Sequence, residues 1–241
     1  MKIALLGYGK MGRAIEEICL ERGHQIVCII KTPEDSLDDL KKADVAIEFT
    51  MPESAVNNIN ACFNHKVPVV VGTTGWYDSY DEVVNKCNET EGCLFTATNF
   101  SLGVNVFFKL NEYLAKLMNN FPDYKIEMEE IHHTQKLDAP SGTAITLAHG
   151  IIDEVYRKDK WLSIEDDTNK EVDSLELPIH SKRIDNVPGT HSIHYDSVID
   201  SIEIKHTAHN RKGFALGAVL AAEFVKDKKG VLGMNDMLKL N

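Results

Sequence analysis

The first hundred residues alternate between short apolar runs and longer stretches whose apolar positions repeat at helical spacing. An apolar run from Lys2 to Leu6 ends at Gly7, a helical pattern then reaches Gly23, and a second apolar run covers His24 to Ile30. Further apolar runs follow at residues 44–49, 67–71 and 93–96. Repeated strand–helix units of this kind predict a parallel, doubly wound sheet.

The second half of the chain has a different pattern. Residues 102–118 carry apolar positions at helical spacing and predict a helix that links two domains, and another helix is expected to begin near Ser141. Strand patterns occur at residues 124–131, 178–184, 191–198 and 201–206. Residues 157–177 are rich in charge, so we expect an exposed, mobile excursion there. These patterns predict an α+β domain with an open mixed sheet.

Composition and charge limit the possible functions. The chain of 241 residues is 43% hydrophobic and 26% charged, as in ordinary soluble globular proteins. The formal net charge of −11 argues against nucleic acid or an anionic membrane as a partner. No apolar run reaches the length of a membrane span, and the N-terminus lacks the layout of a signal peptide, so we expect a cytoplasmic location. The five cysteines form no CxxC pair and are expected to be reduced structural thiols.

A glycine-rich turn follows the first apolar run. Residues 7–12 form a G-x-G-x-x-G motif between a predicted strand and a predicted helix, made of Gly7, Tyr8, Gly9, Lys10, Met11 and Gly12. Glycines at these spacings permit a tight turn and the close approach of a pyrophosphate. The motif therefore predicts a Rossmann-like dinucleotide-binding domain. We place this domain at residues 1–103, completed by C-terminal helices at 213–241, and a second domain at 104–212.

The end of the second predicted strand departs from this motif. An acidic residue usually follows there and holds the ribose 2′-hydroxyl, whereas this chain has Lys31. Lys31 could approach a 2′-phosphate, which favours NADPH or the use of both NADPH and NADH. It could equally be a solvated loop lysine.

Loops of small and amide residues follow three further predicted strands. Ligands of parallel sheets bind beyond the carboxyl ends of the strands. We therefore expect these loops to line the nicotinamide and ribose, through Phe49, Gly72, Thr73, Thr74, Ala97, Thr98, Asn99 and Phe100.

The segment 129–144 concentrates polar chemistry between two apolar patterns. A helix that begins with Ser141, Gly142 and Thr143 presents backbone N–H groups to an anion such as a carboxylate or a phosphate. Two imidazoles and an amine precede this turn and can carry positive charge or transfer protons, namely those of His132, His133 and Lys136. Each residue alone has a structural interpretation, but together they predict a binding or catalytic site. Two histidine pairs, His132 with His133 and His191 with His194, lack the spacing of known metal-ligand motifs, so we predict no metal.

The string EIHHTQKLDAPSGTA in this segment resembles the sequence pattern of the dihydrodipicolinate reductase family. The strings EFTMPE, GTTGW and NFSLGVN are similar to other patterns of the same family. The matches run from residue 7 to residue 144 in the family's order.

This resemblance implies a reductase that transfers hydride from NADPH and/or NADH to a cyclic, imine-conjugated dicarboxylate, giving tetrahydrodipicolinate in the diaminopimelate and lysine pathway. It implies that His132 is a proton donor and acceptor and that Lys136 is a second donor. It further implies substrate binding by His133, Ser141, Gly142 and Thr143, and a homotetramer built through the mixed sheet. Arg211 and Phe214 match a stretch before the family's last helical region and could touch cofactor or substrate, or be structural.

Two other functions remain compatible with the sequence. One is a different two-domain dehydrogenase that acts on an amino-acid semialdehyde or a sugar. An acylating enzyme of that kind would need a nucleophilic cysteine in a loop, and Cys62, Cys87 and Cys93 are poorly placed for it. The other is a non-catalytic NAD(P)H-sensing module, which would have no use for His132 and Lys136.

Overall fold

The computed structural model describes residues 1–165, 171–210 and 212–240. In chain order the elements are β1 (Lys2–Leu6), α1 (Lys10–Glu21), β2 (Gln25–Ile30), β3 (Val45–Glu48), α2 (Pro52–Asn64), β4 (Val69–Val71), α3 (Tyr80–Glu89), β5 (Cys93–Thr96), α4 (Leu102–Met118), β6 (Lys125–His132), α5 (Gly142–Ile152), β7 (Lys160–Glu165), β8 (Glu176–Arg183), β9 (Thr190–Asp196), β10 (Ser201–Thr207), α6 (Lys212–Val225), β11 (Gly230–Leu232) and α7 (Met234–Leu238). They form two compact units, Met1–Leu102 with Lys212–Asn241 and Gly103–Arg211.

The first unit contains a six-stranded sheet in the order β11-β5-β4-β3-β1-β2, and every neighbouring pair is parallel. One apolar cluster joins the sheet to α1 and α6, and a second joins it to α2 and α3. Strands covered on both faces are apolar throughout, as the fully buried Val69–Val71 shows. The predicted doubly wound parallel sheet is confirmed.

The last part of this unit differs from the prediction of helices alone at 213–241. Between α6 and α7 the chain adds β11, which pairs in parallel with β5 as the edge strand of the sheet. The strand is only three residues long and begins at Gly230, which has a φ of 88°. So short a run gives no periodicity from which a strand could be recognised.

The second unit contains a five-stranded sheet in the order β10-β9-β6-β8-β7. The central strand β6 runs parallel to β8 and antiparallel to β9, which confirms the predicted mixed sheet. One face of the sheet packs on α4 and α5 through Ile126, Met128, Phe107, Leu147 and Ile151. The other face carries charged side chains, among them the ion-paired Glu129 and Lys182.

The prediction of an exposed excursion at residues 157–177 is wrong for part of that range. Lys160–Glu165 forms β7, which pairs in parallel with β8 at the edge of the sheet. Edge strands often carry charged residues. Charged residues on both sides of this short strand made the segment resemble an exposed loop in the sequence. Residues 166–170 of the predicted excursion lie outside the described residues.

Candidate functional site

The turn between β1 and α1 is shaped by close backbone contacts. Gly7 has a φ of 92°, and a Cβ atom on it would lie 1.9 Å from the carbonyl oxygen of Phe49. A Cβ atom on Gly12 would lie 2.2 Å from the carbonyl oxygen of Gly7. Both positions therefore require glycine. Gly9 faces open space, where the backbone is accessible to a pyrophosphate.

A cavity of about 530 Å³ lies beside this turn. It brings together five of the residues predicted to bind cofactor, namely Gly7, Tyr8, Gly9, Lys31 and Phe49. Strand order reverses where β1 lies between β2 and β3, and such a reversal opens a crevice at the carboxyl ends of the strands. Lys10 is exposed at the start of α1, whereas Met11 packs against the apolar core.

The remaining predicted cofactor residues follow β4 and β5 and lie outside the lining of this cavity. The Thr73 hydroxyl accepts a hydrogen bond of 2.7 Å from the backbone N–H of Thr50, which ties the loop after β4 to the loop after β3. Gly72 lies against the ring of Phe49, and that ring packs on Phe100 with 5.5 Å between centroids. Thr74 is exposed, and Ala97, Thr98 and Asn99 are half-buried or exposed after β5.

A carboxylate does reach the end of β2, contrary to the sequence prediction. Oδ2 of Asp35 accepts hydrogen bonds from the backbone N–H groups of Lys31 (2.6 Å) and Thr32 (3.0 Å). These two bonds hold the pKa of Asp35 below its usual value. The Lys31 ammonium lies 5.5 Å from the centroid of the Tyr8 ring. The end of β2 thus carries both an anion and a cation.

Glu48, the last residue of β3, is fully buried beside Thr50 and Asn58, which line the cavity next to the β1–α1 turn. Burial raises the pKa of its carboxyl group. The hydroxyl of Thr50 and the amide of Asn58 donate to Oε1, while Oε2 has no partner among the described residues. This carboxyl group connects the loop after β3 to α2.

Strand β6 brings a carboxylate and an imidazole to the same covered face of the second sheet. Glu130 and His132 are both buried, and they are separated by two residues, which is the period of a strand. His133 follows the strand and lines a separate cavity of about 300 Å³ with Thr134, Gln135 and Asn186.

The carboxylate of Glu130 gathers donors from several elements. It accepts hydrogen bonds from the backbone N–H of Ser141 (3.0 Å) and the hydroxyl of Ser181 (3.0 Å). The guanidinium of Arg183 lies 3.4 Å from Oε1. Burial alone would raise the pKa of Glu130, but the His191 imidazole 3.7 Å away and the hydrogen bonds from Ser141 outweigh it and lower the pKa to about 2.

His132 is enclosed beside this carboxylate. Its Nδ1 lies 3.4 Å from Oε2 of Glu130, and its ring packs edge-on against His191 with 5.1 Å between centroids. Burial lowers the pKa of His132 to about 4, although Glu130 acts in the opposite direction. The imidazole is therefore neutral at neutral pH.

Lys136 lies in the loop between β6 and α5. Its ammonium is 2.8 Å from both carboxylate oxygens of Asp138. Arg183 donates to the backbone carbonyls of Lys136 (3.3 Å) and Asp138 (2.7 Å), so it supports this loop as well as Glu130.

Helix α5 begins next to Ser141, as predicted, and Ser141 caps it through a hydrogen bond of 3.2 Å from the N–H of Ala144 to its hydroxyl. Its own N–H is occupied by Glu130, and its hydroxyl also lies 3.1 Å from Nε2 of His191. Ser141 is buried, with its N–H and its hydroxyl engaged within the protein, whereas Gly142 is exposed and Thr143 is half-buried.

Donor atoms of Glu130, His132 and His191 all lie within 4.8 Å of one another, which is close enough to hold a metal ion. The Arg183 guanidinium beside the same carboxylate opposes a second cation there. His191 and His194 lie an odd number of residues apart on β9 and cannot face one ion together. The absence of a metal stays a prediction.

Three residues of this site had no role in the sequence prediction: Glu130, Arg183 and His191. The alternation of Ile126, Met128 and His132 was enough to place Glu130 on the covered face, where an unpaired carboxylate is rare. Arg183 and His191 belong to strands far along the chain, and only the sheet pairing brings them to β6.

Two further expectations concern residues outside this cluster. Phe214 is half-buried in the first turn of α6, and Arg211 lies outside the described residues. All five cysteines are buried and without disulfides, and burial raises the pKa of Cys93 to about 11. Buried thiols with raised pKa values are poor nucleophiles, which argues against an acylating dehydrogenase.

Known proteins share this arrangement. Two family models match the chain: "Dihydrodipicolinate reductase, N-terminus" at residues 1–100 and "Dihydrodipicolinate reductase, C-terminus" at residues 103–238. The chain belongs to the dihydrodipicolinate reductase family. The resemblance found in its motifs is confirmed.

Individual relatives agree with this family. A 4-hydroxy-tetrahydrodipicolinate reductase from Christiangramia forsetii is 52% identical and covers 99% of this chain and 98% of its own. A dihydrodipicolinate reductase from Paenisporosarcina sp. TG-14, solved with bound dipicolinate, has a TM-score of 0.77 at 23% identity, over 98% of both chains. An amine dehydrogenase from Mycobacterium smegmatis has a TM-score of 0.60 at 10% identity, over 96% of this chain and 94% of its own, which reflects the fold alone.

Membership of the dihydrodipicolinate reductase family identifies the protein as an oxidoreductase that uses a nicotinamide cofactor. The predicted activity, a reduction in diaminopimelate and lysine biosynthesis, is that of the family and is confirmed. Among the helices of the described residues, none is long and apolar enough to span a membrane.

Proposed function

We propose that the protein reduces 4-hydroxy-tetrahydrodipicolinate to tetrahydrodipicolinate, with His132 and Lys136 transferring protons. In this reaction the ring gains a hydride and a proton and loses water, and the nicotinamide supplies the hydride when it is bound. The observation that carries the proposal is the Glu130 carboxylate. It links His132 to the start of α5, beside the loop that holds Lys136.

The charges of this segment suit a dicarboxylate substrate. Lys136 offers an ammonium, and the first turn of α5 offers backbone N–H groups at Gly142 and Thr143, because the N–H of Ser141 is already used. His133 adds an imidazole from the neighbouring cavity. A bound dianion would raise the pKa of His132 from its low value, so substrate binding itself prepares the proton donor.

The protein uses NADH and NADPH in this proposal. The residues of the β1–α1 turn fit a pyrophosphate, since Gly9 leaves its backbone open, and Phe49 and Phe100 form an apolar wall at the ends of β3 and β5. At the end of β2, Asp35 suits ribose hydroxyls and Lys31 suits a 2′-phosphate. We therefore expect that neither Asp35 nor Lys31 excludes NADH or NADPH.

Assembly and location follow from the family resemblance. We propose a homotetramer in the cytoplasm, formed through the open face of the mixed sheet. That face carries paired charges, Glu129 with Lys182 and Glu127 with His180, which could pair equally with those of a second copy.

The proposal is tested by following the oxidation of NADH and of NADPH by absorbance. The substrate is made in situ from pyruvate and aspartate semialdehyde by a purified synthase. Oxidation that depends on the synthase supports the reductase. Cofactor binding without oxidation would instead favour a sensing module, and oxidation with a semialdehyde alone would favour another dehydrogenase.

A further inference from the structure

Glu130 is the most enclosed charged group of the substrate site. Its side chain has no exposed surface, so it cannot touch a substrate directly. Its partners come from four elements: Ser141 before α5, Ser181 and Arg183 on β8, His191 on β9 and His132 on β6 itself. A buried carboxylate with this many donors is ionised, and the pKa of about 2 agrees with that charge.

The Glu130 carboxylate lies close to one nitrogen of the neighbouring imidazole. Nδ1 of His132 lies 3.4 Å from Oε2 of Glu130 and has no hydrogen-bond partner among the described residues. A neutral imidazole lowers its energy by turning an N–H, rather than a lone pair, toward an anion. Because Nδ1 is the ring nitrogen that lies near the anion, the charge of Glu130 favours the tautomer with the proton on Nδ1.

We infer that Glu130 is a positioning residue that holds His132 in the Nδ1–H tautomer and leaves Nε2 to carry the catalytic proton. His132 accepts a proton from solvent at Nε2 and becomes an imidazolium that Glu130 stabilises. It then gives that proton to the ring carbon and returns to the neutral Nδ1–H form. The carboxylate itself is never protonated. This inference rests on the role proposed above for His132.

The groups that face His132 set the balance of this proton transfer. Among the described residues that act on its pKa, Glu130 on β6 is the anion, while His191 on β9, Lys136 in the loop and Arg183 on β8 disfavour a second positive charge. Removing the Glu130 charge therefore leaves an imidazole that scarcely accepts a proton. The reaction should then lose its proton donor at the pH where the wild-type protein is active.

The variant Glu130→Gln removes the charge and keeps the shape of the side chain. We expect kcat to fall about 100-fold, with a smaller change in KM, and the fall of kcat with rising pH to move to lower pH. The matched control is Ser181→Ala, which removes one hydrogen bond from the same carboxylate but keeps its charge. This control should keep the wild-type pH profile, and an equal shift in both variants would contradict the inference.

A double-mutant cycle separates this inference from the proposed function. If Glu130 acts through His132, Glu130→Gln should change kcat little in a His132→Gln background. Fully additive losses would overturn the inference. Normal turnover of His132→Gln alone would instead overturn the proposed site.

The tautomer can be measured without any change at Glu130. Long-range ¹H–¹⁵N spectra of the histidine-labelled wild-type protein, with the His132 signal assigned by its loss in His132→Gln, distinguish Nδ1–H from Nε2–H. The inference predicts Nδ1–H at neutral pH. Observation of Nε2–H would overturn it, even if Glu130→Gln failed to fold.

Discussion

Nδ1 of His132 lies 3.4 Å from Oε2 of Glu130, two residues earlier on the same strand, and both side chains are buried. Burial lowers the pKa of His132 to about 4, while hydrogen bonds lower that of Glu130 to about 2. At neutral pH a carboxylate therefore faces an uncharged imidazole. A substrate dianion can then raise the proton affinity of that imidazole when it binds.

The low pKa of His132 predicts a specific acid sensitivity. In the unfolded chain this histidine is protonated near its ordinary pKa of about 6.5, whereas in the folded chain it is protonated only near pH 4. The contribution of neutral His132 to the free energy of unfolding is therefore complete above about pH 6.5 and decreases as the pH falls toward 4. The variant His132→Gln has no imidazole at this position, so its free energy of unfolding lacks this pH-dependent decrease. Between pH 7 and pH 4, wild type should lose on the order of 2 kcal/mol more than the variant. Urea unfolding at one protein concentration measures this difference, and parallel curves would contradict the assignment.

The opposite charges at the end of β2 predict opposite effects on cofactor choice. Lys31→Ala should lower kcat/KM for NADPH relative to NADH, because it removes the cation that we propose for binding a 2′-phosphate. Asp35→Asn should raise the same ratio, because it removes the anion. Both charges are exposed, so we expect changes of about 5-fold or less. Asp38→Asn, an exposed acidic residue nearby, is the control, and an equal effect in that variant would indicate a long-range field instead.

The buried carboxyl group of Glu48 predicts a difference between two substitutions. Burial raises its pKa, so ionising it costs stability in the folded state, and an amide of the same shape avoids that cost. Glu48→Gln should be at least as stable as wild type at neutral pH. Glu48→Ala should weaken cofactor binding, since the loop after β3 loses its connection to α2. Fluorescence titration with NADH measures the affinity for the cofactor, and wild-type affinity in Glu48→Ala would exclude a role for Glu48 in cofactor binding.

Much of the fold could be predicted because its strands and helices carry strong local patterns. The strand at β6 alternates buried and exposed residues as its sequence does, and the βα units of the first unit are separated by glycine, proline and polar turns. The misjudged segments, β7 and β11, are edge strands of six and three residues. Such strands are defined by pairing with a neighbour rather than by their own periodicity.

The candidate site could be predicted only where its residues are close in sequence. His132, Lys136 and the start of α5 fall within one segment of the sequence. The order of the family motifs between residues 7 and 144 indicated the same site. Arg183 and His191 reach Glu130 through strand pairing, and Asp35 reaches Lys31 through a turn, so none of these three contacts follows a sequence period. Ser141 was predicted to bind substrate, yet its N–H and hydroxyl are used within the protein.

The most direct test of the reductase site is a comparison of turnover and cofactor binding in Lys136→Ala. We expect substrate-dependent NADH oxidation to fall about 10²- to 10⁴-fold while the affinity for NADH stays near that of wild type. Lys136→Arg should also be inactive, because arginine keeps the positive charge but does not release a proton at neutral pH. Lys160→Ala, at an exposed ion pair with Glu176, is the control and should keep wild-type turnover. Unchanged turnover in Lys136→Ala would contradict the site.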